Sequence, residues 1–383
     1  MPLKILVSAG EASGDLYAGR LVSTLRGRFP EAEFFGCAGH HMVQAGVRPV
    51  VHAASLAVVG LAEVVSHIPR IYSEYRRLVG ACRRERPQLA ILTDSPDFHL
   101  RVARKLKRLG IPVVYLVAPQ VWAWRRRRIR QIRRNVDRLL CIFPFEEDFF
   151  RRHGIAAHYI GHPLAGMVRP ALKREEFLQK HGFMTERPVI TVLPGSRIGE
   201  AARHLPALRK AAAILHRETG AVFILATPFG IPSQLSAKEG ANGPDFRVVE
   251  GETWDAIAHA DLALAASGTV TVEAALLGTP MVTFYKVSAA SWMMGKWLVD
   301  VPFYSMVNLV AGRAVVPELI QNDMTGERIA AEARRLLEDS GARERMRRGL
   351  GEVAARLSTD GDPMEKAAQI VHQFVSHGAN DVS

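Results

Sequence analysis

Asp94 closes the short apolar run Leu89–Thr93 and precedes Ser95-Pro96-Asp97-Phe98. A carboxylate at the carboxyl end of a buried strand suits a general base that takes a proton from a hydroxyl nucleophile. The competing reading is a structural Asx turn. Ser95-Pro96 reads as the N-cap and first position of a helix. Asp97 then lies in the first turn, where an acid favours the helix dipole without further purpose. Three small-residue turns supply further candidates. Gly10-Glu11-Ala12-Ser13-Gly14-Asp15 joins a first strand to a helix. It has neither GxGxxG spacing nor the GK[ST] of a P-loop, which argues against a standard dinucleotide site and a nucleoside-triphosphate hydrolase. Such a turn can still receive an anion or a sugar. It can equally be a tight connection in which Ser13 or Asp15 caps the helix.

Leu193-Pro194-Gly195-Ser196-Arg197 and Ser267-Gly268-Thr269 each follow a strand. Both loops offer backbone N–H groups to an anion, and the second adds a helix dipole. Arg197 has the fork geometry to pair with a diphosphate. Glu273, about one turn into the helix that Ser267-Gly268-Thr269 opens, could accept hydrogen bonds from both hydroxyls of a ribose. Two phosphate-type loops in one half point to nucleotide binding there. Turn chemistry and a plain surface helix remain the alternatives.

Two segments suit a surface contact. Leu61, Val64, Val65, Ile68, Ile71, Tyr72, Tyr75, Leu78 and Val79 form a helical apolar stripe, and Arg70, Arg76 and Arg77 lie opposite. The plain reading is a helix packed on a sheet; the sharper one is a basic amphipathic segment that meets an anionic bilayer or an acyl chain. Pro69 is expected to break this stretch into two short helices. Trp122-Ala123-Trp124 leads into seven arginines between Arg125 and Arg134, with no acid among them. A nucleic-acid arm and a phosphate or membrane patch fit that run equally well. His162, before Pro163, either touches a substrate phosphate or holds a linker. Neither the histidines nor Cys37, Cys82 and Cys141 have metal-ligand spacing, so no metal is expected. The scattered cysteines read as reduced thiols of a cytosolic protein.

These groups need strands to place them. Apolar runs bounded by Gly or Pro recur at Leu3–Ala9, Glu33–Cys37, Leu89–Thr93, Val113–Val117 and Arg138–Ile142, and again at Val189–Leu193, Val222–Ala226, Arg247–Val249, Leu262–Ala266 and Pro280–Phe284. With helix-period segments between them they read as strands buried on both faces of parallel sheets. The class is α/β, with two Rossmann-like doubly wound domains expected to face an interdomain cleft. The boundary is placed near residue 165: residues 1–165, residues 166–345, and carboxyl-terminal helices over 346–383 that pack back on one domain. The 383 residues are 48% hydrophobic and 23% charged, which excludes wholesale disorder. The net charge of +12 is one-sided. Residues 1–165 carry 26 Lys and Arg against 13 Asp and Glu, and the remainder carries 24 against 25. A basic half beside a neutral one suggests a polyanionic partner: nucleic acid, a membrane surface or phosphorylated molecules. No window reads as a signal peptide or a transmembrane helix, so any membrane contact is expected to be peripheral.

The ordered set Gly10–Asp15, Ser95–Phe98, Val121-Trp122-Ala123-Trp124-Arg125, Gly161-His162-Pro163, Leu193–Arg197, Ser267–Thr269 with Glu273, and Asn308–Arg313 resembles the lipid-A-disaccharide synthase family. The resemblance implies a B-type glycosyltransferase fold. It implies inverting, metal-independent transfer of 2,3-diacylglucosamine from its UDP derivative to 2,3-diacylglucosamine 1-phosphate (lipid X), without a cofactor. By position it implies Asp94 as general base and Gly195, Ser196, Arg197, Ser267, Gly268, Thr269, Glu273 and Asn308 on the UDP side. Glu11, Ser13, Gly14, Asp15, Trp124, Arg125 and His162 fall on the acceptor side. The stripe at Leu61, Val64, Val65, Ile68, Ile71 and Tyr72 falls where the family meets the cytoplasmic face of the inner membrane. His99 stands where the family often has Asn, and Gln120 where Ser is common. An anionic membrane is then the expected partner rather than nucleic acid, and a homodimer is an assembly to test. The alternatives are another UDP-sugar enzyme, such as an epimerase or a soluble-acceptor transferase, and a nucleic-acid-binding protein.

Overall fold

A computed structural model describes residues 2–56, 61–123, 126–183, 186–227, 244, 246–288, 292 and 301–376, without the side chains of 61–67 and 126. The chain forms two compact units, Met1–Gly166 with Leu357–Ser383, and Met167–Arg356.

The first unit is built on seven parallel strands: β1 (Lys4–Ala9), β2 (Glu33–Ala38), β3 (Arg48–His52), β4 (Leu89–Thr93), β5 (Val113–Leu116), β6 (Arg138–Cys141) and β7 (Ala157–Tyr159). Their order is β3-β2-β1-β4-β5-β6-β7. The second unit has six: β8 (Val189–Leu193), β9 (Val222–Thr227), β10 (Phe246–Glu250), β11 (Leu262–Ala266), β12 (Met281–Tyr285) and β13 (Glu318–Ile320), ordered β10-β9-β8-β11-β12-β13. β4, β8 and β11 are buried along their whole length, as continuous apolar runs require when helices cover both faces.

In each sheet the winding reverses beside the first strand. β1 pairs with both β2 and β4, and β8 with both β9 and β11. Loops leaving the two central strands therefore splay apart at their carboxyl ends, which is where open α/β sheets bind ligands. Register fixes what arrives there. Ala9 lies opposite Thr93, so Gly10 and Asp94 emerge side by side. Ala265 lies opposite Leu193, which brings the loops after Leu193 and Ala266 together.

The segment Leu61–Glu85 is one helix with Pro69 inside it, not the two short helices expected. A proline removes one hydrogen bond and kinks a helix; the turns beyond it keep this helix seated. Leu78, Val79, Ala81 and Cys82 are buried, and Ile71 and Tyr75 pack against the same core. At the carboxyl end, Ser340–Leu357 lies with the second unit as far as Arg356, whereas the sequence reading grouped 346–383. The helix Pro363–Ser376 packs on the first unit, against Ala12–Arg28. It buries Met364, Val371 and Phe374, together worth roughly 5–9 kcal/mol. The exposed pairs Arg20–Asp362 and Arg28–Glu365 add at most about 1 kcal/mol each. Burial therefore holds this helix, not charge.

Candidate active site

Asp94 is the centre of the first unit's switch point. Its carboxylate accepts hydrogen bonds from the Gly10 N–H (2.9 Å) and the Glu11 N–H (3.1 Å), across 84 and 83 residues of sequence. This is a long-range anchor rather than a local Asx turn. Two glycines make it sterically feasible. A Cβ on Gly14 would lie 1.7 Å from Asp94 Oδ2, and one on Gly10 would lie 2.5 Å from Ser95 Oγ. The backbone pays for the placement: Asp94 (φ 58°) and Ser95 (φ 36°) both occupy the left-handed region. That conformation costs a residue with a side chain on the order of 1–3 kcal/mol. Ser95 does occupy the N-cap of the helix Pro96–Arg108, but its side chain makes no capping bond. Asp97 pairs with Arg128. Burial pushes the Asp94 carboxyl up to about 7, against the opposing hydrogen bonds from Gly10, Ser95 and Glu11. A carboxyl with that pKa exchanges protons near neutrality, as a general base must.

Three residues hold this position: His99, noted in the sequence only as a departure from the family pattern, and Tyr115 and Ser8, which the sequence did not single out. The Asp94 carbonyl accepts from the Tyr115 hydroxyl and from His99 Nδ1–H, the latter at 3.0 Å. Because a carbonyl only accepts, Nδ1 carries the proton, and Nε2 is free to accept from Ser8 Oγ–H at 2.7 Å. Burial holds the His99 imidazole down to about 4, so its 3.8 Å approach to Asp94 Oδ1 is not an ion pair.

The remaining first-unit candidates are placed as follows. Ser13 and Gly14 lie in the first turn of the helix Ala12–Arg28, with Glu11 at its N-cap and no side-chain cap. Asp15 is buried and turned away. It accepts from Gly39 N–H (2.7 Å), His41 N–H (2.8 Å) and Met42 N–H (3.3 Å), and so caps the following helix, His40–Gln44. His162 is buried among Tyr17 and Phe143, and its Nδ1 accepts from Leu164 N–H at 3.2 Å. Burial lowers it to about 3, so it stays neutral and organises its own segment. Trp122 donates to Glu146 Oε1 at 3.0 Å, and burial raises the Glu146 carboxyl to about 8. Trp124 and Arg125 lie outside the described residues, as do the side chains of Leu61, Val64 and Val65. Of the rest of the stripe, Ile71 packs against the core, while Ile68 and Tyr72 are 54% and 60% exposed.

In the second unit the two loops leave the adjacent ends of β8 and β11. Ser196 and Arg197 are exposed, and Gly195 takes φ 121°, which favours glycine. Buried His204 pins this loop. Its Nδ1 donates to the Pro194 carbonyl at 2.7 Å, and its Nε2 lies 3.1 Å from the Lys286 N–H. Gly268 and Thr269 expose the start of the helix Thr269–Leu276. Ser267 donates to the Tyr304 carbonyl at 2.9 Å. Burial raises the Glu273 carboxyl to about 7, with a bond to Trp254 opposing it. Asn308 is buried, and its amide is engaged within the unit: it donates to Val316 O and Glu318 and accepts from Val315 and Val316 N–H. Among the described residues, no three His, Cys, Asp or Glu side chains group so as to hold a metal ion. No described helix is long and apolar enough to cross a membrane.

Two doubly wound parallel sheets, each gathering its candidate loops at the switch point, are the fold of the B-type glycosyltransferases. The chain is similar in structure to the calicheamicin glycosyltransferase CalG4 (TM-score 0.60, 17% identity, 98% of each chain covered). It is also similar to the UDP-GlcNAc 2-epimerase of Neisseria meningitidis bound to UDP-GlcNAc (TM-score 0.65, 11% identity, covering 98% of this chain and all of that one). Sequence narrows the class. Residues 5–371 match the family model described as lipid-A-disaccharide synthetase. The chain is 61% identical over 380 residues to the lipid-A-disaccharide synthase of Solibacter usitatus, covering 99% of this chain and all of that protein. It is 41% identical to the synthase of Myxococcus xanthus, covering 98% and 99%. The chain therefore belongs to the lipid-A-disaccharide synthase family, and it is a glycosyltransferase of lipid A biosynthesis.

Proposed function

We propose that the chain transfers 2,3-diacylglucosamine from its UDP derivative to the 6-hydroxyl of 2,3-diacylglucosamine 1-phosphate, releasing UDP. Asp94 takes the hydroxyl proton as the oxygen attacks the anomeric carbon from the face opposite UDP. One displacement inverts the centre and gives the β(1→6) linkage, so one base suffices and no protein nucleophile is required. As the bond to UDP breaks, negative charge grows on the diphosphate. Arg197 and the N–H groups that open the helix Thr269–Leu276 offer preorganised positive charge to it. Glu273 holds the ribose hydroxyls, and the first unit receives the acceptor. The observation that carries this reading is the largely buried Asp94 carboxylate, fixed at the switch point by the Gly10 and Glu11 N–H groups.

Both substrates carry acyl chains, so the enzyme works at a lipid surface as a peripheral protein of the inner membrane. Two features support this. Ile68 and Tyr72 are exposed on the helix Leu61–Glu85. That helix packs beside Pro96–Arg108, which in turn packs beside Ile129–Asn135, and exposed Arg77, Arg101, Arg104, Arg130 and Arg133 lie on these helices. Incubation with UDP-2,3-diacylglucosamine and lipid X, with and without EDTA, tests the reading. The expected result is the disaccharide 1-phosphate by mass spectrometry in both arms. Turnover only with a water-soluble acceptor, or loss of product with EDTA, would overturn it.

A further inference from the structure

The strained backbone at Asp94 is held from below by fully buried side chains. We infer that His99 and Tyr115 are positioning residues that aim the Asp94 carboxylate by clamping its carbonyl oxygen. The inference rests on the reading of Asp94 as the base.

Left-handed backbone at Asp94 turns its carbonyl inward, away from solvent. There it meets two donors from different elements: Tyr115 from β5 and His99 from the helix Pro96–Arg108. Ser8 on β1 donates to the far side of the imidazole, and so fixes the tautomer that points Nδ1–H at the carbonyl. All three side chains are fully buried. The two rings also meet edge to face, 6.5 Å apart at 81°. The carbonyl is thus fixed from two elements, with Ser8 of β1 holding the imidazole behind one of them. On its other side, the carboxylate is fixed by two N–H groups of the Gly10–Glu11 turn. Without the donors beneath it, only the two bonds to the carboxylate hold the peptide at Asp94 left-handed against its strain. Relaxing it to an ordinary φ would swing the carboxylate away from the Gly10–Gly14 turn. The clamp therefore acts on aim, not on charge: both donors are neutral in this site. His99 stays unprotonated, and burial with the Asp94 charge pushes the Tyr115 hydroxyl well above its ordinary range.

The test compares Tyr115→Phe, His99→Ala and His99→Asn with Asp94→Ala and the double variant Asp94→Ala/His99→Ala. The readouts are kcat, KM for both substrates and thermal stability. A misplacement of about 1 Å costs a reaction up to about 10²-fold. Tyr115→Phe and His99→Ala are expected to lose at least roughly 10-fold in kcat, with KM within about twofold of wild type. His99→Asn retains an N–H donor and is expected to recover most of the loss. The double variant should be no slower than Asp94→Ala alone, because a clamp has nothing to aim once the base is gone. If Asp94→Ala is inactive while Tyr115→Phe and His99→Ala turn over within twofold of wild type, the clamp is refuted and the base stands. If Asp94→Ala itself turns over normally, the reading of the base fails. If losses appear in KM and stability in step with kcat, without recovery by His99→Asn, the residues are structural only and the inference falls.

Discussion

Gly14→Ala should be destabilising and nearly inactive, although it replaces glycine by the best helix former. Gly14 lies in the first turn of the helix Ala12–Arg28, where alanine ordinarily gains about 0.5–1 kcal/mol. Here the new Cβ would sit 1.7 Å from Asp94 Oδ2 and 2.7 Å from its Cγ. One of the two must move by more than an ångström. The carboxylate cannot turn aside cheaply, because leaving the Gly10 and Glu11 N–H groups forfeits charge-assisted bonds worth about 1.5–3 kcal/mol each. Shifting the helix instead disturbs its packed face, at about 1–3 kcal/mol for overpacking. Net of the helix gain, a loss of about 1 kcal/mol is expected, or roughly 2–4 °C for a domain of this size. Turnover should fall by about 10²-fold if Asp94, proposed as the base, is displaced from its place. Gly27→Ala is the control: it lies in the same helix with nothing within 4 Å, and it should leave stability and turnover unchanged or slightly improved. Thermal unfolding and disaccharide formation, measured on both variants, decide the matter. A Gly14→Ala protein as stable as wild type, turning over within twofold, would refute the close approach of helix and base.

Further outcomes follow from the same geometry. The Asp94 carboxyl is raised to about 7 and must be ionised to act, so kcat/KM should rise with pH up to about 7 and then level off. Glu146 is raised from 4.5 to about 8, so its protonated form favours folding below pH 4.5, and that contribution is lost as pH rises through 8. Chemical denaturation of Glu146→Gln should therefore show it gaining on wild type between about pH 4.5 and 8, by at most roughly 1.4 kcal/mol per pH unit, and levelling off above that. His204→Leu unpins the Pro194 loop and should weaken UDP binding by about 10-fold in calorimetry while the fold survives, since a lost bond to a loop is worth about 1 kcal/mol or somewhat more. Ile68→Ser with Tyr72→Ser should reduce sedimentation with anionic liposomes without lowering thermal stability, because both side chains are more than half exposed.

The central strands were legible because parallel sheets demand unbroken apolar runs, and ten such runs match strands of the structure. The strands that escaped are edge elements. β7 and β13 have three residues each, and β3 carries Pro49 and ends in His52, so none offers an apolar run. Pro69 misled because a proline signal is local, whereas packing of Leu78 and Cys82 holds the helix together. At the site, Asp94 and the turns stood out through Gly, Pro and acid types at strand ends. Their supports did not. Ser8 and His99 are 91 residues apart, and only the pairing of β1 with β4 makes them neighbours. His204 looked like any polar residue of a helix until the fold folded it under Pro194. Asp15 and Asn308 show the converse: both sit in matching motifs, yet the structure commits Asp15 to three backbone N–H groups and the Asn308 amide to Glu318 and the backbone at Val315 and Val316.

The proposed base of the transfer is the Asp94 carboxylate at the first switch point. Turnover of Asp94→Ala with UDP-2,3-diacylglucosamine and lipid X, followed by mass spectrometry of the disaccharide, tests it most directly. The expected result is a loss of at least about 10²-fold in kcat with UDP still bound. Turnover close to wild type would contradict it.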